Sequence, residues 1–156
     1  MPDMQARKEP GVERVYRDDQ IEVTWEPGLC IHVGTCFRTL PSVFRPRERP
    51  WVRLEEGTPD DVARTVALCP TGALGLRRLD GEPEQAVPEP PVLEADPDGP
   101  LFVRGHVKVV DEEGEMIRED TRIALCRCGH SENKPFCDNS HLRVGFTSRP
   151  DAPSAG

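Results

Sequence analysis

Four side chains between positions 126 and 141 have the types and the spacing to hold a metal. They are Cys126, Cys128, Cys137 and His141, in the pattern C-x-C-x8-C-x3-H. Three thiols and an imidazole are soft-to-borderline ligands that suit zinc, copper or an iron–sulfur cluster. Zinc fingers usually pair their ligands as C-x2-4-C with a distant second pair. Here the first gap is one residue and the last is three. C-x-C sets two thiolates on the same side of an extended turn, where they can chelate one iron. Cys137 and His141 can then close a second iron from another loop. Pro135 fixes the chain just before Cys137, and Asn139 tolerates the left-handed backbone angle of a tight turn. The remaining cysteines, Cys30, Cys36 and Cys69, form a second set, C-x5-C…C-P, with Pro70 directly after the last of them. Buried thiols without a metal are the alternative for this second set. A Cys3His zinc site that holds a small fold together is the alternative for the first.

Composition narrows the setting. The chain has 156 residues, enough for one ordinary domain or two small ones, with six cysteines and a formal net charge of −8. No apolar run is long enough to cross a bilayer, and the start lacks a basic-then-apolar leader, so a soluble, cytoplasmic protein with no membrane partner is expected. Thiols stay reduced there, which favours metal over disulfides. Positions 81–100 hold six acidic and no basic side chains. The acidity is therefore concentrated in one short stretch that also carries six prolines, and it reads as a solvated linker. Nothing resembles the basic face that nucleic-acid binding needs. No nucleophile–base pair is visible either, so the chain is read as a non-enzyme.

The elements that must position the ligands follow from local pattern. A first domain is expected over 12–80. "IEVTW" alternates as a strand does, "LCIHVGTC" reads as a Gly-containing loop, and "WVRLE" reads as another short strand. "TPDDVARTVALCP" carries helix punctuation: Thr58 as N-cap, Pro59 at the first helical position, Asp60 and Asp61 in the first turn. Val62, Val66 and Cys69 then share one inward face, and Pro70 ends the helix. "GALGLRRL" offers a closing strand. Positions 81–100 form the linker, although Val92 and Leu93 could pair as a short edge strand. A second domain is expected over 101–150, with "LFVRGHVKVV" and "RIALC" as strands around the turn "DEEGE", and "VGF" as a last extended piece. Positions 1–11 and 150–156 read as loose tails. Such small domains usually need a metal or an oligomer. Trp25 and Trp51 are expected in the core, and His106 and His130 as structural or solvated.

The stretch "CRCGHSENKPFCDNSH" resembles the CDGSH iron–sulfur family, C-x-C-x2-S/T-x3-P-x-C-D-G-S/A/T-H. The resemblance implies a 2Fe–2S cluster held by Cys126, Cys128, Cys137 and the single nitrogen ligand His141. Ser131, Pro135, Asp138 and Ser140 match as well, while Asn139 stands where the family has Gly. It also implies a homodimer through the CDGSH domain. The stretch from Cys30 to Leu74, within 15–78, resembles single-cluster bacterial ferredoxins, including the divergent 4Fe–4S group. Bacterial ferredoxins use C-x2-C-x2-C with a distant C-P, and Val33 occupies the place of the missing middle cysteine. Three ligands, Cys30, Cys36 and Cys69, suit a 3Fe–4S cluster. A 4Fe–4S cluster needs a fourth, for which His32 is the nearby candidate, the alternative being a solvated or hydrogen-bonding histidine. Gly34 lets backbone N–H groups turn toward the sulfides.

The expected architecture is α+β: a small ferredoxin-like domain followed by a β-rich CDGSH iron–sulfur domain. The expected function is two-cluster electron transfer to or from a reductase or oxygenase. Alternatives are cluster transfer to an apo-acceptor protein or redox sensing, and a zinc-stabilised interaction protein. One His in place of one Cys removes about one negative charge from the cluster shell, which raises its potential relative to all-thiolate ligation.

Overall fold

The computed structural model describes residues 13–148, so the expected tails at 1–11 and 150–156 lie outside the described residues. The chain divides between Ala86 and Val87 into two units. The architecture is α+β.

In the first unit, strands β1 (Arg14–Arg17), β2 (Ile21–Trp25) and β3 (Leu74–Arg78) form one antiparallel sheet with β2 in the middle. The carboxylate of Asp18 accepts the N–H groups of Gln20 and Ile21, both at 2.8 Å, and so closes the β1–β2 turn. β2 spans the stretch that alternates in sequence, and Ile21 and Val23 are fully buried. β1 escaped the sequence reading because three of its four residues are exposed and only Tyr16 leans inward. A short helix α1 (Thr35–Thr39) follows the cysteine loop, and helix α2 (Pro59–Val66) packs over the sheet. Thr58 caps α2 by accepting the Asp61 N–H at 3.1 Å. Arg78, at the end of β3, reaches Asp80 at 2.7 Å and Asp60 at 3.1 Å, which ties that strand to the first turn of α2.

Two expectations for this unit are corrected. α2 ends at Val66, three residues before Cys69. Cys69 precedes Pro70, and a residue before proline is pushed out of the helical region. The N–H groups of Leu68 and Cys69 instead bond three residues back, to Thr65 and Val66. Val62 and Val66 are buried as expected, but a turn, not the helix face, delivers Cys69. "WVRLE" is not a strand. Trp51 and Val52 are adjacent and both buried, so the stretch does not alternate as a half-buried strand would. Only a single bridge, Phe44 to Val52, forms there, and a 3-10 turn follows at Leu54–Glu56.

In the second unit, β4 (Val92–Ala95), β5 (Leu101–Val110) and β6 (Met116–Leu125) form an antiparallel sheet in chain order. The stretch 81–100 is thus not extended linker throughout, since Val92–Ala95 pair with β5. Gly105 sits where the β5–β6 register shifts, with φ +123. A Cβ there would stand 2.7 Å from Pro91 Cα and 2.8 Å from the Pro88 carbonyl oxygen. The proline-rich stretch therefore lies directly on the hairpin. The core is small: Val103, Ile123, Ala124, Phe136 and Cys137 are its buried hydrophobic residues. A helix α3 (Ser140–Val144) takes the place of part of the expected "VGF" strand. Asn139, at φ +72, opens it, and Gly145, at φ +67, closes it. That glycine belongs to a helix end, where the left-handed region costs it nothing.

Thr58→Ala is expected to lower the stability of the first unit by about 1 kcal/mol. Gly105→Ala is expected to lower that of the second by about 1–3 kcal/mol. Calorimetry of the full chain, with each variant against the parent, checks both.

Candidate metal centres

The second unit builds its site from the end of a hairpin strand. A bridge pairs Leu125, the last residue of β6, with Phe136. The N–H of Cys126 donates to the Pro135 carbonyl at 2.8 Å, and that of Cys137 to the Ala124 carbonyl at 2.9 Å. These bonds zip the C-x-C loop against the loop that carries Cys137. The Sγ atoms of Cys126 and Cys128 stand 3.9 Å apart, and Cys137 Sγ stands 3.6 Å from His141 Nδ1. The four predicted ligands thus form two close pairs held side by side by backbone.

A polar frame lies behind them. Asp138 Oδ2 accepts the Glu132 N–H at 2.9 Å, and its Oδ1 accepts the Ser140 hydroxyl at 2.5 Å and N–H at 3.0 Å. Arg143 donates to the Ser140 hydroxyl at 2.7 Å. Ser131 donates to the Phe136 carbonyl at 2.6 Å and accepts the Asn133 N–H. Burial opposes ionisation of Asp138, but the Ser140 hydroxyl, two backbone N–H groups and the charge of Arg143 hold its carboxyl below the usual range. The frame fixes α3 and, with it, His141.

The sulfur atoms receive donors as well. The N–H groups of His130 and Asn139 approach the sulfurs of Cys128 and Cys137, each at 3.4 Å. Burial pushes the Cys137 thiol up to about 11, with the charges of Asp138, Cys126 and Cys128 adding to it against the Asn139 N–H. Burial also works to raise Cys126, yet the N–H groups of Ser131, Gly129 and His130 and the Cys128 thiol together bring it below its ordinary value. His130 turns its Nδ1 to the Cys128 carbonyl at 2.9 Å, and His106 is exposed on β5.

Arg127 was not singled out in the sequence. It lies between the two thiols of C-x-C and donates to the Gly99 and Asp96 carbonyls at 2.9 and 2.7 Å. Its guanidinium also sits 5.4 Å from the centre of the Phe146 ring. Its only sequence signal is a charge inside the ligand loop, and the carbonyls that hold it become neighbours only through the fold.

In the first unit, Cys30, Cys36 and Cys69 line one opening together with His32. Trp25 and Trp51 stand edge to face behind it, 5.0 Å between ring centres. Cys30 follows a 3-10 turn, Cys36 lies in α1, and Cys69 follows α2. Burial pushes the Cys36 thiol up to about 11, and the charges of Cys30 and Cys69 push the same way, against the Phe37 N–H. Cys69 Sγ lies 3.7 Å from the hydroxyl of buried Thr71, which accepts the Ala73 N–H. Gly34 adopts φ +82 as it enters α1, and His32 adopts φ +61 with Nδ1 3.8 Å from Cys30 Sγ. His32 and Val33 are both exposed. Among the described residues, no three of His, Cys, Asp and Glu close on one point tightly enough for a single metal ion. A polynuclear cluster spreads its ligands over several irons, and thiolates with imidazole are its donors. Both donor sets fit such a group by chemistry.

Comparison with known proteins agrees with this division. Residues 16–79 match the family described as a divergent 4Fe-4S mono-cluster, and residues 98–142 match the iron-binding zinc finger of CDGSH type. The chain is 31% identical over 67 residues to the uncharacterised protein YjdI of Escherichia coli K12, covering 43% of this chain and 88% of the relative. The YjdI of Escherichia coli O157:H7 matches to the same extent. Among the described residues, no helix is long and apolar enough to cross a membrane. The chain is an iron–sulfur protein that belongs, through its first unit, to the divergent 4Fe–4S mono-cluster family of YjdI, and it adds a CDGSH-type iron-binding domain.

Proposed function

We propose that the chain is an electron-transfer protein with one cluster in each unit. A 2Fe–2S cluster would be held by Cys126 and Cys128 on one iron and by Cys137 and His141 on the other. A cluster of three- or four-iron type would be held by Cys30, Cys36 and Cys69. The observation that carries this reading is the backbone zipper between Ala124–Cys126 and Pro135–Cys137. It aligns two ligand pairs, at 3.9 and 3.6 Å, each spaced as two ligands of one metal are, while among the described residues no three such groups close on a single ion. When bound, such clusters supply one-electron redox chemistry. The residues around them set the potential. The backbone N–H groups of His130 and Asn139 donate to thiolate sulfur, and a neutral imidazole replaces one anionic ligand. The redox partner would be a reductase or an oxygenase. A homodimer through the second unit is part of this reading, supported by exposed Val92 and Leu93 on the edge strand β4.

A second reading, cluster donation to an apo-acceptor, draws on the partial exposure of His141 and the exposure of its neighbour Leu142. The two differ in behaviour. Fast reduction and reoxidation with a ferredoxin reductase supports electron transfer. Rapid loss of the cluster to an apo-ferredoxin, with poor electron turnover, supports donation.

Anaerobic purification with iron, sulfide and zinc counted tests the main reading, which requires iron and acid-labile sulfide in both units. Zinc without sulfide would overturn it. His141→Cys is expected to lower the potential of the second unit's cluster by on the order of a hundred millivolts, read by spectroelectrochemistry. Arg127→Ala is expected to speed loss of that cluster several-fold, with the first unit's cluster as an internal reference, because the C-x-C loop loses both carbonyl anchors. Arg127→Lys should restore little, since an ammonium cannot reproduce the planar fork. Bleaching of the two visible spectra over time checks both variants.

A further inference from the structure

Among the described residues, five polar or charged residues are buried, and of these Thr71 alone lines the opening of the first unit. It is 4% exposed and stands two positions after Cys69. A hydroxyl removed from water costs free energy unless its hydrogen-bonding capacity is used. A threonine hydroxyl has one hydrogen to donate and two lone pairs. The Ala73 N–H occupies one lone pair at 3.2 Å, so the hydrogen still needs an acceptor. The Cys69 Sγ lies 3.7 Å from the same oxygen. In a thiol–hydroxyl pair either atom can donate. Iron removes that ambiguity. A ligating sulfur is a thiolate without a hydrogen, so it can only accept.

The second unit uses the same sequence relation with backbone groups. His130 stands two positions after Cys128 and Asn139 two after Cys137, and their N–H groups approach those sulfurs at 3.4 Å. Beside Cys69 the residue two positions on brings a buried side-chain hydroxyl to the sulfur. Threonine and valine have nearly the same shape. What Thr71 adds to the apolar wall of Ile31, Ala73 and Leu74 is therefore the hydroxyl.

We propose that the Thr71 hydroxyl donates its hydrogen to the Cys69 thiolate and so raises the potential of the first unit's cluster. Thr71 is thus a positioning residue that acts through a ligand. This rests on the cluster reading given above. Reduction adds an electron to the cluster and negative charge to its sulfurs. A donor aimed at sulfur holds the reduced form more strongly than the oxidised one. Burial strengthens the bond, because little water screens it. The proton stays on the Thr71 oxygen, and no covalent bond forms or breaks.

The test is a redox titration of the full chain, purified without oxygen, with each cluster followed by its own electron paramagnetic resonance signal. Thr71→Val is expected to lower the potential of the first unit's cluster. At the parent's midpoint the ratio of reduced to oxidised cluster then falls several-fold, while the second unit's potential stays where it was. Thr71→Ser, which keeps the hydroxyl, is expected to hold the parent's potential. A hydroxyl that serves only to accept the Ala73 N–H would lower the thermal stability of Thr71→Val and leave the potential unchanged, and that result overturns the proposal. A Thr71→Ser potential equal to that of Thr71→Val overturns it too. If Thr71→Val holds no cluster, Thr71→Ala is read in its place. If neither holds one, pulsed resonance on the parent's first-unit signal decides. After exchange into deuterated water it must show a strongly coupled deuteron that Thr71→Ser keeps, and absence of that coupling overturns the proposal. Failure of the cluster reading looks different: Cys36→Ser would leave every iron signal of the chain unaltered, and the proposal falls with it.

Discussion

Each unit gathers three thiols at one place, and that convergence is an electrostatic burden which iron must lift. The fold by itself works against it. Burial and neighbouring charge drive Cys36 and Cys137 up to about 11, well away from the thiolate state that binds metal. A bound iron centre reverses this balance, because positive charge beside the sulfurs stabilises the thiolates outright. Ligand binding and folding are then coupled, which suits units whose cores are small. The second unit illustrates the point, since one of its buried core residues, Cys137, is itself a proposed ligand.

The two units meet the burden with different scaffolds. The second uses a β hairpin extended by one bridge and two backbone bonds, so its ligand loops are held in register by the same ladder that makes the sheet. Asp138 then fastens the other end of the site by accepting from both Glu132 and Ser140. Arg127 ties the C-x-C loop to carbonyls 28 and 31 positions earlier in the chain. The first unit instead collects ligands from a loop, a one-turn helix and a turn beyond a longer helix. Its precision comes from the core beneath, where Val62 and Val66 seat α2 and the paired tryptophans back the opening.

Local patterns were legible where they were complete in a few residues. The strand at Ile21–Trp25 and the Thr58 cap came through, and so did the left-handed Asn139, because each rests on alternation, side-chain capping or a residue's own φ preference. The errors arose where neighbours far along the chain set the outcome. Trp51 and Val52 both turn inward because the core closes around them, which no alternation pattern announces. The strand at Arg14–Arg17 is held by its partner β2, not by its own mostly exposed residues. The helix leading to Cys69 stops short because Pro70 acts one residue upstream of itself.

Ligand types and spacings are covalent facts, so the sequence by itself determined that the chain carries two sulfur-rich sets and what chemistry each suits. It also determined the α+β character, since hydrophobic period and helix punctuation are local. Only the tertiary structure decided which atoms come within reach. It set Cys126 beside Cys128 and Cys137 beside His141, brought Cys69 to the loop of Cys30 and Cys36, and turned His32 back toward Cys30. The reason is that these distances depend on strand pairing and on packing between residues far apart in sequence. A pattern confined to a single stretch of chain does not encode them.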